Sequence, residues 1–318
     1  MAEPNREPTD DATDAGHLPV LVEQVLALLD PQPGQVVLDC TVGRGGHAQQ
    51  ILPRIGPEGR YIGLDLDAGN LDFCRPLLDV LPGQIDLVCR DFAEAPGVLA
   101  GLGVDAVDLL LADLGCSSNQ IDDPMRGFSF THEGPLDMRL DPGQSEAAAD
   151  LVNRMDERDL ADLIFRYGQE RYSRKIARKI VEQRRQSPIQ NTAQLAAICA
   201  RSYGVAGKRQ RIHPATRTFM ALRIAVNDEI GRLERLLASL PRLVRPNGRA
   251  AIISFHSLED RPVKHTFRDW AKQGMVELLT TKPVIASRAQ RAANPRSRSA
   301  KLRAIRRLAT PTSDSVPL

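Results

Sequence analysis

Chemistry concentrates first in Asp39-Cys40-Thr41-Val42-Gly43-Arg44-Gly45-Gly46-His47, a glycine-rich turn between the apolar run Val36-Val37-Leu38 and a segment able to form a helix. Residues without a Cβ leave backbone N–H groups uncovered, so a ligand can approach the chain closely there. Eighteen residues beyond His47 a second apolar run, Tyr61-Ile62-Gly63-Leu64, ends at Asp65, where a carboxylate can take both hydroxyls of a ribose. Together these features read as a site for a nucleoside cofactor. Gly43, Gly45 and Ala48 also satisfy the G-x-G-x-x-A form of a dinucleotide fingerprint, which keeps a nicotinamide cofactor open. Asp39 tilts the reading, because a carboxylate four residues before the glycines suits a ligand with a positive ammonium, such as the methionine end of S-adenosylmethionine.

Positioning these groups requires a sheet. Alternating apolar and helix-compatible segments predict strands over 36–41, 61–66, 85–90 and 107–114, with helices near 46–52, 68–81 and 95–102, the pattern of a parallel sheet covered on both faces. Asp91-Phe92 then ends the third strand and Asp113 the fourth, so Gly45, Asp65, Phe92 and Asp113 share the carboxyl edge where open α/β sheets bind ligands. Plainer roles remain for each residue. Asp65 could be a helix N-cap, Phe92 a core ring, His47 a packing residue, Asp113 and Gln120 loop caps, and His256 a satisfied core histidine.

After Cys116-Ser117-Ser118 the alternation stops. A loop rich in Asp, Gly and Pro leads into about seventy residues with helical periodicity and no credible strand. Leu160, Leu163, Ile164 and Tyr167 form one apolar stripe, Asp156 is placed to cap that helix, and Thr192 is expected to cap a later one. One long helix is expected over 216–240. Strands follow at 250–255, after the turn Pro246-Asn247-Gly248, and at 276–281 and 302–308.

The chain has 318 residues, 42% of them hydrophobic, enough for one large domain or two smaller ones with real cores. Its first sixteen residues are polar and acidic and read as a disordered tail; they carry no secretory signal, no stretch approaches a membrane span, and a cytoplasmic location is expected. Five widely spaced cysteines, Cys40, Cys74, Cys89, Cys116 and Cys199, suggest buried small hydrophobes rather than a disulfide framework or a zinc site, and no metal is expected. Net charge is only +2, but the basic residues cluster. Arg171, Arg174, Lys175 and Arg178 share a helix face opposite Tyr172, Ile176 and Ile180; a second group holds Arg201, Lys208, Arg209, Arg211 and Arg217; a third runs from Arg288 and Arg291 through Arg296, Arg298, Lys301, Arg303, Arg306 and Arg307. Three clusters point to phosphate contact. Aromatic content of 4% argues against an extended stacking platform and for a base pocket.

Longer motifs now connect. His17-Leu18-Pro19-Val20-Leu21, the Gly45-Gly46-His47 turn, Ala112-Asp113-Leu114-Gly115-Cys116-Ser117-Ser118-Asn119-Gln120, Arg126-Gly127-Phe128-Ser129-Phe130, Gly134-Pro135-Leu136-Asp137-Met138-Arg139 and Ser254-Phe255-His256-Ser257-Leu258-Glu259-Asp260 occur in that order. With them the chain closely resembles the bacterial 16S rRNA cytosine-N4 methyltransferase family from His17 to about Leu308. Cys116 departs from the branched aliphatic residue usual there. The resemblance implies an α/β fold, a class I methyltransferase (Rossmann-like) doubly wound sheet at 17–116 and 215–310 with an inserted all-α domain at 117–214, flanked by tails at 1–16 and 311–318. It implies S-adenosylmethionine as methyl donor, with cofactor contacts at Gly45, Gly46, His47, Asp65, Phe92, Asp113 and Gln120. The implied acceptor is a cytosine in the decoding region of 16S rRNA, within the small ribosomal subunit; no membrane partner is implied, and a homodimer stays open.

Methyl transfer to an exocyclic amine is an in-line displacement that needs alignment more than acid catalysis, together with an acceptor for the amine's proton. The Asp- or Asn-Pro-Pro-aromatic tetrad of related amino methyltransferases is replaced here by Asp113-Leu114-Gly115-Cys116. Asp113, nearby carbonyls, Ser117 and Ser118 are therefore the candidate acceptors, with Asp113 the first choice as catalytic residue. A catalytically silent RNA-binding assembly factor, a dehydrogenase and a DNA cytosine methyltransferase are the competing readings. The intact Gly45, Asp65 and Asp113 oppose the first, no hydride-transfer constellation supports the second, and the missing tetrad opposes the third.

Overall fold

A computed structural model describes residues 19–204 and 212–309. The expected tails, His17 and Leu18, and Lys208, Arg209 and Arg211 of the second basic cluster lie outside these residues. Seven strands form one sheet: β1 (Val36–Asp39), β2 (Arg60–Asp65), β3 (Gln84–Cys89), β4 (Val107–Asp113), β5 (Val244–Ser254), β6 (Val276–Leu278) and β7 (Lys301–Arg307). Their order is β3-β2-β1-β4-β5-β7-β6, with β1 to β5 parallel and β7 antiparallel to both neighbours. This is the class I methyltransferase arrangement, a Rossmann-like sheet whose order reverses at β1, so the ends of β1 and β4 flank a crevice.

Side-chain alternation splits the interior into two layers. On β4, Leu110 and Ala112 join one apolar cluster while Leu109 and Leu111 join the other. Helices α1 (Val22–Leu29), α2 (Ala48–Ile55) and α3 (Ala68–Leu78) cover one face through Val25, Leu29, Ile51, Leu52, Leu71 and Leu78. Helix α4 (Ala95–Gly101) covers the other, joined later in the chain by two long helices.

Beyond the short α5 (Ser118–Asp122) come α6 (Ala148–Arg154), α7 (Glu157–Gly168), α8 (Ser173–Arg184) and α9 (Thr192–Tyr203). They enclose a third apolar cluster, in which Leu160, Ile164, Ile176, Ile180 and Leu195 are fully buried. Asp156 stands at the N-cap of α7 without a side-chain capping bond. At α9 the cap is Asn191, whose side chain accepts from the Gln194 N–H, and not Thr192. The Thr192 hydroxyl instead donates to His132 O and accepts from Gly134 N–H, both at 3.2 Å, fastening the preceding loop.

The single helix expected over 216–240 is two: α10 (Thr216–Val226) and α11 (Glu229–Leu243). Asn227 and Asp228 break it, Asp228 at φ 45°. Asn227 is fully buried, donating to Met138 O at 2.8 Å and accepting from Leu140 N–H at 2.7 Å, and so ties the break to the loop before α6. Phe219, Leu222 and Val226 of α10 pack in the third cluster; Leu233, Leu236 and Leu240 of α11 pack on the sheet. The Pro246-Asn247-Gly248 turn lies inside β5 as a bulge, with Asn247 at φ 66° and a register shift against β4. Helices α12 (Ser257–Lys272) and α13 (Arg288–Ala293) flank β6 in the chain, and β7 follows them.

Candidate active site

The glycine turn, the ends of β2 and β4, α5 and part of α10 enclose a cavity of about 420 Å³, within the usual range for small-molecule sites. Gly43 turns the chain at φ 53° and donates its N–H to Asp65 Oδ2 at 2.8 Å. Gly46 lines the cavity and abuts Pro19, where an added Cβ would lie 3.0 Å from the ring. Gly45 does not line it: this residue, at φ 80°, faces α3, and a Cβ there would meet Cys74 at 3.1 Å and Leu78 at 3.3 Å. The expected contact at Gly45 is thus a packing and turn requirement of the cradle rather than part of its wall.

Asp65 ends β2 and lines the cavity, but it does not cap a helix; the N-cap of α3 is Asp67, whose side chain accepts from Gly69 N–H at 3.0 Å. Asp65 accepts from Asp67 N–H at 2.8 Å as well as from Gly43, and burial still pushes its carboxyl up to about 6. A carboxylate so desolvated gains from further hydrogen-bond donors. Asp39, expected to face a ligand's ammonium, is fully enclosed instead: Tyr61 donates its hydroxyl to Asp39 Oδ2 at 2.6 Å and Thr41 N–H bonds Oδ1 at 3.0 Å. Burial raises its carboxyl above the ordinary range. Asp39 therefore shapes the turn from beneath.

On β4, Asp113 donates its N–H to Thr41 Oγ1 at 2.6 Å, and its Oδ2 lies 3.5 Å from His47 Nε2. Asp113 Oδ1, His47 Nε2, Ser117 Oγ and Asn119 Oδ1 are buried on the wall with no hydrogen-bond partner among the described residues. Buried polar groups are rarely left unsatisfied, so this set marks a place for a ligand carrying both donors and acceptors. Phe92 follows β3 in a short 3-10 turn, half-buried, packing on the first apolar cluster and lining the cavity at once.

Gln120 also lines the cavity, though its amide is largely committed to holding the wall. It accepts from Ser117 N–H at 3.0 Å and donates to Asp67 Oδ2 at 2.9 Å. Arg126 bonds that same Asp67 oxygen and donates to the carbonyls of Arg139 and Leu140 at 2.9 and 3.0 Å. Burial alone would raise the Asp67 carboxyl, but the bonds from Arg126 and Gln120 outweigh it and hold it below the ordinary range. Backbone crosses backbone beside this junction: a Cβ on Gly134 would sit 1.8 Å from Pro124 O, and one on Gly127, at φ 68°, 2.2 Å from Pro135 O. The two glycine motifs thus let one loop thread against another and bind the helical unit to the carboxyl end of β2.

The far wall comes from residues that sequence periodicity alone does not single out. Met220 and Arg223 of α10, with Leu140, face it beside Cys116, Phe255 and His256. On an amphipathic helix these two positions carry no signal separating them from ordinary surface or core. His256 is the N-cap of α12, its Nδ1 accepting from Glu259 N–H at 3.3 Å while Glu259 Oε2 accepts from Phe255 N–H at 2.7 Å. The Ser254–Asp260 motif is in this respect a capping device that also brings His256 to the cavity. Glu229, His256 and Glu259 place ligand atoms within 4.8 Å of one another, as a metal site could. Arg223 already supplies the cation, bonding both Glu229 oxygens at 2.7 and 2.8 Å.

Residues 14–308 match the model of the MraW methylase family. The chain belongs to that family. The methylase is 46% identical over 310 residues to ribosomal RNA small subunit methyltransferase H of Syntrophobacter fumaroxidans, covering 93% of this chain and 97% of that one. It is 47% identical over 308 residues to the protein of the same name from Geobacter sulfurreducens, with 92% and 99% covered. Among solved structures, a putative rRNA-methylase from Clostridium thermocellum superimposes with a TM-score of 0.44 at 10% identity, over 91% of this chain and 97% of that one. The methylase is an S-adenosylmethionine-dependent enzyme, and the unpartnered polar atoms beside Asp65 fit a ligand with ribose hydroxyls, an ammonium and a carboxylate.

The basic clusters fare unequally. Arg171, Arg174, Lys175 and Arg178 are exposed at the start and along one side of α8. In the C-terminal cluster only Arg303 is buried, bonding Asp260 at 2.7 Å; Lys301 approaches the same carboxylate at 3.5 Å, and Arg306 with Glu277 and Arg296 with Asp122 form pairs nearer the surface. Arg288, Arg291 and Arg298 remain exposed. The cysteines also divide, with Cys40, Cys74 and Cys199 buried, Cys116 partly covered and Cys89 exposed at the open edge of β3. Among the described residues no helix is long and apolar enough to cross a membrane.

Proposed function

We propose that the chain methylates small-subunit ribosomal RNA, at the exocyclic N4 amine of a cytosine in the decoding region of 16S rRNA. The observation that carries this reading is a continuous cavity running from the ribose-type carboxylate Asp65, past the unpartnered Asp113 Oδ1, to a mostly apolar wall contributed by the helical unit. The relatives' names supply the ribosomal substrate.

Asp65 would hold the ribose hydroxyls, Phe92 the adenine face, and Gly46 with His47 the methionine end. When bound, S-adenosylmethionine supplies a methyl group on a positively charged sulfur. The protein's part is then to hold the amine nitrogen in line with it at near-attack distance. Asp113, with one oxygen near His47 and the other open, would take the hydrogen that the amine must lose. A paired cytosine hides that amine, so the base must be exposed or extruded, as a folded ribosomal RNA permits. Exposed Arg171, Arg174, Lys175 and Arg178 suit the flanking phosphates. As a division of labour, the helical unit runs through α10 to Val226, twelve residues beyond the boundary at 214 expected from sequence, because α10 packs with it.

The reading is tested by incubating the protein with labelled S-adenosylmethionine and small subunits from a strain lacking this enzyme, then identifying the labelled nucleoside by mass spectrometry. Label on N4-methylcytidine at one position is expected. Label on another atom, or on none, overturns the reading.

A further inference from the structure

Arg223, on the far wall of the cavity, has its charge matched before any ligand arrives. Its Nε and Nη2 bond the two oxygens of Glu229 at 2.7 and 2.8 Å, a bidentate pair reaching across the break from α10 to α11. Nη2 also lies 3.5 Å from His256 Nε2. Because His256 Nδ1 accepts from Glu259 N–H, Nε2 carries the ring proton and points at Glu259 Oε1, 3.3 Å away. The ring thus presents no acceptor to Arg223, and the guanidinium is held by Glu229 alone. Nη1 makes no hydrogen bond among the described residues, and Arg223 lines the cavity together with Met220 and Cys116.

The charge balance decides what such a donor can take. With Glu229 bonded and Glu259 beside it, the cluster offers no excess positive charge, so a phosphate would give up its hydration for little return. Leu140, Met220 and Phe255 make the adjacent walls apolar. A flat, neutral ring with a hydrogen-bond acceptor on its edge satisfies both conditions. A cytosine whose amine faces Asp113 carries two acceptors, N3 and O2, on the same pairing edge, where a fixed donor on the other side of the cavity can reach them. Uracil differs at this edge, since its N3–H would meet a donor with another donor.

We propose that Arg223 reads the target base, donating from Nη1 to the acceptor edge of cytosine, and that Glu229 is the positioning residue that holds it. This rests on the cytosine reading above.

The test uses the full-length protein, unmodified small subunits and S-adenosylmethionine. Arg223→Gln, Arg223→Lys and the double variant Arg223→Gln with Glu229→Gln are compared in single-turnover methylation at saturating cofactor, with cofactor affinity measured by calorimetry. The double variant removes both charges together, so that no carboxylate is left buried alone, and Arg223→Lys keeps the ion pair but not the reach. All three are expected to slow methylation by about 100-fold or more, as when a hydrogen bond to a recognised group is removed, while cofactor affinity stays within about 2-fold, a small step on the free-energy scale. N4 label from the parent together with a parental rate from either Arg223→Lys or the double variant overturns the assignment of Arg223 alone. Cofactor affinity falling in step with rate overturns it too, by making the residue a support of the cofactor site. Parental label on a base other than cytosine overturns both this assignment and the reading beneath it.

Discussion

Asp65 carries the most readable chemistry. Its carboxyl, pushed up to about 6 by burial, lies well above the value of an unfolded chain, so ionising it costs the fold about 3 kcal/mol at neutral pH, and the cost is relieved as pH falls from about 6 toward the unfolded value. In the role proposed for it, accepting both hydroxyls of a ribose, it must be ionised. Cofactor affinity should therefore be full above pH 6 and weaken about tenfold per unit below it, until the bound-state value is reached; titration calorimetry from pH 5 to 8 checks this, and a flat profile would place the ribose elsewhere. Asp65→Ala should weaken cofactor binding by about 1.5–3 kcal/mol, the range for a hydrogen bond to a charged group, and leave RNA affinity unchanged. For Asp113→Asn the readout is kinetic. A ligand role raises the Michaelis constant for S-adenosylmethionine, whereas a proton-accepting role lowers turnover at saturation by about 10²–10⁴-fold. The open Oδ1 and the nearby His47 lead us to expect both effects, resolved by single-turnover rates across a cofactor series. Asp39 shows where residue-level reading stops. Position along the chain puts it near the ligand, but the Tyr61 hydroxyl on the neighbouring β2 takes the carboxylate inward, and the space that Gly63 leaves opposite Asp39 is filled by Val42, Leu87 and the Tyr61 ring.

At the scale of elements, α8 offers the sharpest experiment. Reversing Arg174 and Lys175 to Glu should weaken RNA association strongly and lower the log–log salt slope by about one for each phosphate no longer neutralised, with cofactor affinity unchanged. An unaltered slope would make the stripe a solvated surface. The strands are legible to within a residue or two from β1 to β4: β1, β2 and β4 because buried parallel strands leave apolar runs bounded by polar residues, and the partly covered edge strand β3 because its apolar residues sit between polar ends. The break at Asn227-Asp228 is not, since apolar periodicity runs on through it and only tertiary bonds to Met138 and Leu140 reveal the turn. The same limit hides Met220 and Arg223 and makes the C-terminal arginines look like one surface. Of the basic residues on β7 only Arg303 is buried, against Asp260, while Lys301 on the same face and Arg306 on the other keep more of their side chains in solvent. The motif-rich loops, by contrast, place Arg126, Gly127 and Gly134 where two segments cross, a role spacing alone does not disclose.

At the scale of the molecule, the three apolar clusters of the described residues are expected to depend differently on ligand. The two that flank the sheet border the cofactor wall, while the third belongs to the helical unit. S-adenosylhomocysteine at about 100 times its dissociation constant should stabilise the sheet by about 2.7 kcal/mol. If the helical unit unfolds on its own, tryptophan fluorescence from Trp270, which packs on the sheet, should shift its midpoint with this ligand while helical circular dichroism shifts less. Coincident shifts would make the molecule one cooperative unit. The sheet order has a further effect on how the chain comes to be made. Strand β5 must pair with β4 across about 140 intervening residues, Leu109 beside Arg249, after every helix of the insert has been synthesised. Until then β4 is an uncovered edge, open to pairing with other chains. Closing so long a loop is slow, and early compaction of the helical unit shortens the effective tether between the two strands. The insert is therefore expected to serve as a folding spacer, and a mutation that delays its collapse should appear first as aggregation of the nascent chain.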